Sequence, residues 1–113
     1  HRNQLYVHLD GARLSNSLIT LGCTFKEMTT DLGVDVVSFG GTKNGLMMGE
    51  AILILNSELN LKYKNEMKYI RKQSAQLPSK TRFIAAQFKK YLENALIRIK
   101  HNLSIIYFLN MYL

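Results

Sequence analysis

The sequence predicts an α/β fold: a mostly parallel sheet with one antiparallel strand, running into long helices. Short apolar runs rich in strand formers occupy residues 5–9, 34–39 and 49–56, each bounded by Gly, Asp or Asn. A stretch of helical period separates the first two, which makes them a crossover pair. From Ser57 onward apolar residues recur at steps of three and four, the period of an amphipathic helix.

The first strand, Leu-Tyr-Val-His-Leu over residues 5–9, ends at Asp10-Gly11, a sharp exit. Leu14, Leu18 and Leu21 then mark a helix over residues 12–21, stopped by Gly22. Residues 24–32 are mixed and polar and read as a helical turn, and Gly33 leads into the second strand at 34–39. The third, at 49–56, is reached through a short loop with no room for a crossover helix. It must therefore run antiparallel to a strand of the sheet or lie at its edge. Beyond it, Leu59, Tyr63, Met67 and Ile70 share one helical face. Pro78 interrupts, with Ser79 placed as an N-cap. Ile84, Phe88, Leu92, Leu96, Ile99 and Leu103 then describe one long helix or two in line.

Composition narrows the function classes. With 47% hydrophobic and 20% charged residues among 113, the chain is globular in character. It opens at His1, without an initiator methionine, and reads as a piece of a longer protein. Cys23, the single cysteine, allows no internal disulfide, and a reducing cytoplasmic setting is the expectation. No apolar run reaches the roughly 18 residues of a membrane span, so no membrane partner is expected. The apolar tail over 103–113 is too short, though it would offer an association surface.

The net charge of +7 is uneven, because 11 of the 15 basic residues fall between positions 60 and 100. Solvated helix faces are the ordinary reading of such runs. The alternative is a basic module binding nucleic acid or an acidic partner through residues 62–82.

The chemistry gathers at the strand ends. In a parallel crossover both strands finish on one sheet edge, where ligands bind in open α/β sheets. Asp10 leaves the first strand and Lys43 leaves the second, after two glycines and Thr42; Arg13 opens the intervening helix. Tyr6, His8 and Asp10 share a strand face by the period of two. Singly, Asp10 reads as a helix cap, Lys43 as a loop lysine and Arg13 as a surface residue. Together, an amine, a carboxylate and a guanidinium suit pyridoxal 5′-phosphate (PLP). That cofactor is tethered by a lysine and has its pyridine nitrogen kept protonated by an acid, while an arginine supplies a fork for a substrate carboxylate. The flanking glycines would let the backbone approach the cofactor. Gly-Gly-Thr-Lys is not P-loop order, no G-x-S-x-G occurs, and nothing orients Cys23 with His8.

His8-Leu-Asp-Gly-Ala-Arg-Leu14 and Ser38-Phe-Gly-Gly-Thr-Lys-Asn-Gly45 resemble the threonine aldolase branch of the β-eliminating lyase family, PLP enzymes of the aspartate aminotransferase fold. Ile70-Arg-Lys-Gln73 and Ser79-Lys-Thr-Arg-Phe-Ile84 extend the resemblance, which covers residues 5–95. It implies that residues 1–56 are the C-terminal part of a large PLP-binding domain and that 57–113 lead helically to a small domain. It also implies Lys43 as the lysine bonded to PLP, Asp10 on the pyridine nitrogen, Thr42 near the cofactor and Arg13 on the substrate carboxylate. The implied reaction is cleavage of L-threonine or L-allo-threonine to glycine and acetaldehyde, in a homodimer or homotetramer. A related lyase of another amino acid would use Asp10 and Lys43 equally. By the same resemblance, the phosphate-holding and ring-stacking residues would precede His1, and a second carboxylate-binding arginine would lie beyond Leu113.

Overall fold

The structure, a computed structural model, describes residue 3 and residues 5–99. A three-stranded sheet of order β1-β2-β3 is built from β1 (His8–Gly11), β2 (Val36–Gly40) and β3 (Glu50–Ile54). β1 and β2 run parallel with Asp10 opposite Ser38, while β2 and β3 run antiparallel with Ser38 opposite Ile52. The crossover is as the sequence predicts, and the third strand, expected to run antiparallel or to lie at the edge, does both among the described residues. Among the described residues the sheet has one pairing of each kind.

Alternation and register divide the sheet into two faces. Leu9, Val37 and Leu53 lie side by side, with Gly11, Phe39 and Ala51 in the next row. This face is the core, where Val37 and Phe88 are wholly buried. Burying a side chain the size of Val37 contributes about 1.5–3 kcal/mol. The opposite face carries His8 and Asp10, both exposed, beside Ser38 and Ile52.

Helices cover the core face. Leu14, from α1 (Leu14–Leu21), is buried there and Leu18 partly so, but Leu21 points outward, contrary to the expected three-leucine face. Gly22 ends the helix in the left-handed region, and the Cys23 amide donates to the Leu18 carbonyl. The expected helical turn comes as α2 (Phe25–Met28), opened by a reciprocal Thr24–Glu27 cap, and a 3-10 turn at Thr30–Leu32. Of the helices beyond the sheet, α3 (Ser57–Tyr63), α4 (Met67–Gln73) and α5 (Thr81–Ile99), it is α5 that crosses the core face. Its Phe88 and Tyr91 rings lie 6.4 Å and 5.9 Å from that of Phe39.

Besides shifts of one or two residues at the ends of α1, β2 and β3, three boundaries differ from the sequence reading. β1 begins at His8 rather than Leu5, because buried Asp35 takes the Val7 amide on its own carboxylate at 2.8 Å where a ladder bond would start. The helix expected beyond Ser57 is two, α3 and α4. Leu59 is buried but, among the described residues, α4 has at most half-buried ones such as Met67, so little packing holds one continuous register. Ser79 is no N-cap: α5 starts at Thr81, and Lys80 just before it takes a left-handed φ of 62°. The expectations for the apolar tail lie outside the described residues.

Candidate functional site

β1 and β2 end on the same edge of the sheet because they are parallel and in register. Each strand runs directly into a tight turn. Past β1, Asp10 Oδ1 accepts the Ala12 amide at 3.0 Å, an Asx turn. The carboxylate therefore turns the chain at the strand exit and does not cap α1, whose N-cap is Arg13. Past β2, Thr42–Asn44 form a 3-10 turn closed by the Asn44 amide on the Gly41 carbonyl at 2.9 Å. Thr42 and Lys43 are exposed on it.

The two turns are locked together by Asn44, which is buried. Its Nδ2 donates to the carbonyls of Ala12, at 3.2 Å, and of Gly40. Its Oδ1 accepts the Ser15 amide, in the first turn of α1, at 3.2 Å. Asp10, Arg13, Thr42 and Lys43 are thus carried on one hydrogen-bonded rim.

Two glycines also have a part within the chain. A Cβ on Gly11 would sit 2.9 Å from the Ser38 carbonyl oxygen, and one on Gly40 would sit 2.9 Å from Ala12 Cα. They let strand and turn backbones approach each other within the chain.

Sequence reasoning passed over three participants. Asn44 lies inside the Gly-Gly-Thr-Lys-Asn-Gly motif, yet only its burial shows its role. Ser38 shares a 2.7 Å hydrogen bond with His8 on the open face, one strand across from Asp10. Tyr91, on α5, meets Ser15 with 2.6 Å between hydroxyl oxygens and so braces α1. Only the period of two, applied across a known register, would have paired His8 with Ser38.

The remaining charges form no second centre among the described residues. Lys62, Lys68 and Arg82 each lie over the ring of the adjacent aromatic residue, 4.9 Å from its centroid. Lys62 is held above its ordinary pKa chiefly by its contact with the Tyr63 hydroxyl. No group of three or more His, Cys, Asp or Glu is placed to hold a metal, and no helix is long and apolar enough to cross a membrane, among the described residues.

The family model of the beta-eliminating lyases matches residues 1–105. The chain belongs to that family. It is similar to a low specificity L-threonine aldolase of Pseudomonas sp. (strain NCIMB 10558), 48% identical over 90 residues, and to one of Pseudomonas aeruginosa, 47% identical over 90 residues. Each match covers 80% of this chain and 25% of the relative. The lyase-family segment thus spans a quarter of the length of these aldolases.

Proposed function

We propose that this chain is the lysine-bearing segment of a PLP-dependent aldehyde-lyase that cleaves L-threonine and L-allo-threonine to glycine and acetaldehyde. The observation that carries this reading is the rim itself. A parallel strand pair delivers an amine and a carboxylate to one sheet edge, in a chain 48% identical over 90 residues to a threonine aldolase.

The donor set fits PLP. Lys43 is exposed and joins no ion pair among the described residues. Asp10 spends Oδ1 on its turn, and Oδ2 makes no hydrogen bond among the described residues. Arg13 stands at the N-cap, where its donor-only side chain forms no cap hydrogen bond, and its guanidinium suits an anion.

Bound PLP supplies an electron sink for the bond to be broken. Lys43 Nζ would hold the cofactor covalently. Asp10, facing the pyridine nitrogen, would keep a proton on it, since a carboxylate within reach favours the charged form. Arg13 would orient the substrate by its carboxylate, and the Thr42 hydroxyl would donate a hydrogen bond beside the cofactor. Residues 1–56 belong, on this reading, to a large cofactor-binding domain and 57–113 to the helical path toward a small one, in a cytoplasmic homo-oligomer.

Borohydride reduction of the complete gene product with PLP, then peptide mass spectrometry, tests this. The expected result is a label on Lys43 and threonine cleavage in the unreduced protein, both lost in Lys43→Ala. A label on another lysine would refute the assignment. Turnover of a different amino acid in place of threonine would refute the substrate.

A further inference from the structure

We propose that Asn44 is a positioning residue which caps α1 from across the sheet and thereby sets Asp10 and Arg13 against Lys43. Its role at the rim rests on the proposed PLP-dependent function; the latch itself does not.

Helix α1 breaks a local rule. Helix N-termini leave their first amides without partners, and Ser, Thr, Asp or Asn at the N-cap ordinarily accepts one. Here that position is Arg13, at φ −129° and ψ 26°, and no side-chain cap is formed. Arginine has only donors, so it cannot accept an amide. The missing acceptor comes from Asn44 Oδ1 on the Ser15 amide, 29 positions away in sequence.

The other end of the same amide closes the device. Asn44 Nδ2 donates to Ala12 and Gly40 carbonyls and lies 3.5 Å from that of Gly11. One planar group therefore ties the exit of β1, the start of α1 and the exit of β2. Its backbone neighbour is Lys43. An aspartate there offers no donor to the carbonyls, and an alanine offers nothing. With the cap supplied from elsewhere, the N-cap position is released for a guanidinium. That is the kind of local inconsistency expected where a site overrides helix formation.

The test uses Asn44→Ala and Asn44→Asp in the complete gene product. In Asn44→Ala the Ser15 amide is expected to exchange hydrogen at least tenfold faster. A crystal structure should show the Cα atoms of Asp10 and Lys43 moved apart or together by ~0.5 Å, the tolerance of a functional constellation. PLP retention and kcat should both fall at least tenfold, with KM for threonine changed less. Should the alanine variant not fold, Asn44→Asp decides: it keeps an acceptor for Ser15, so that amide stays protected while the rim shifts. Unchanged Ser15 exchange in Asn44→Ala, or an unmoved rim in both variants, overturns the proposal, as does a moved rim with wild-type PLP retention. A wild-type protein that takes no PLP on Lys43 refutes the functional reading instead, and the exchange and crystallographic results still decide the latch.

Discussion

Replacing Gly40 by alanine separates the demands of the site from those of stability. The new Cβ would meet Ala12 Cα at 2.9 Å, about 0.5 Å inside the 3.4 Å at which ordinary contact begins. It would also lie 3.2 Å from the Ala12 carbonyl oxygen and 3.2 Å from Glu50 Oε2. The glutamate end can swing away; the Ala12 backbone cannot. Relief must come by pushing the turn between Asp10 and Arg13 away from the strand that leads to Lys43, by roughly that half ångström. Overpacking of this kind costs about 1–3 kcal/mol. Because misplacing reacting groups by ~1 Å costs on the order of a hundredfold in rate, the proposed threonine cleavage is expected to lose about tenfold or more in kcat/KM. Gly22→Ala is the control. At φ +64° with nothing within 4 Å of its Cβ, it strains the backbone without displacing anything. Its stability cost, about 1–2 kcal/mol, is comparable. Urea midpoints and threonine-cleavage kinetics of both variants in the complete gene product check this. Equal rate losses in the two, or none in Gly40→Ala, would refute the reasoning.

Phe88→Ala should destabilise by about 3–5 kcal/mol, because Phe88 is wholly buried and edge-on to Phe39; denaturant unfolding measures it. Thr24→Ala should cost about 1 kcal/mol through loss of the α2 cap and leave the rate of cleavage unchanged, as paired urea and activity measurements would show. Glu27 is held below its ordinary value of 4.5, first by the Thr24 amide and then by the Thr24 hydroxyl. A carboxyl depressed in the folded state stabilises fully above its unfolded value and loses that contribution as pH falls through the folded one. Acid titration of Glu27→Gln, monitored by circular dichroism, should lack that component below pH 4.5.

The crossover and the site's two ends were legible because each rests on a local signal. Alternating apolar residues mark strands, and the order strand–helix–strand places Asp10 and Lys43 at one edge whatever the details. Less legible were features made by distant partners. Asp35 sits in an apolar run and reads as a strand residue, yet its carboxylate collects the Val7 amide and the Asn56 side chain and so shortens β1. Asn44 reads as a turn residue, since nothing within the turn reports that its side chain is buried among carbonyls of another strand's exit. The break between α3 and α4 was hidden for the opposite reason. Leu59, Tyr63, Met67 and Ile70 keep helical period, but Ile70 stays 42% exposed.

The pairing of β1 with β2 also sets an order of assembly. Lys43 sits between two strands joined by a short hairpin, fastened by the Gly41 amide on the Gly49 carbonyl at 2.8 Å. Such local pairs close in about 1–10 µs. Asp10 joins only when a strand from beyond a whole helix docks in parallel, a contact of longer range and larger loop-closure cost. The amine is therefore expected to reach its turn before the acid arrives, which pulse-labelled hydrogen exchange during refolding would show. An amine and a carboxylate side by side at this rim would then be a late reporter of the completed fold.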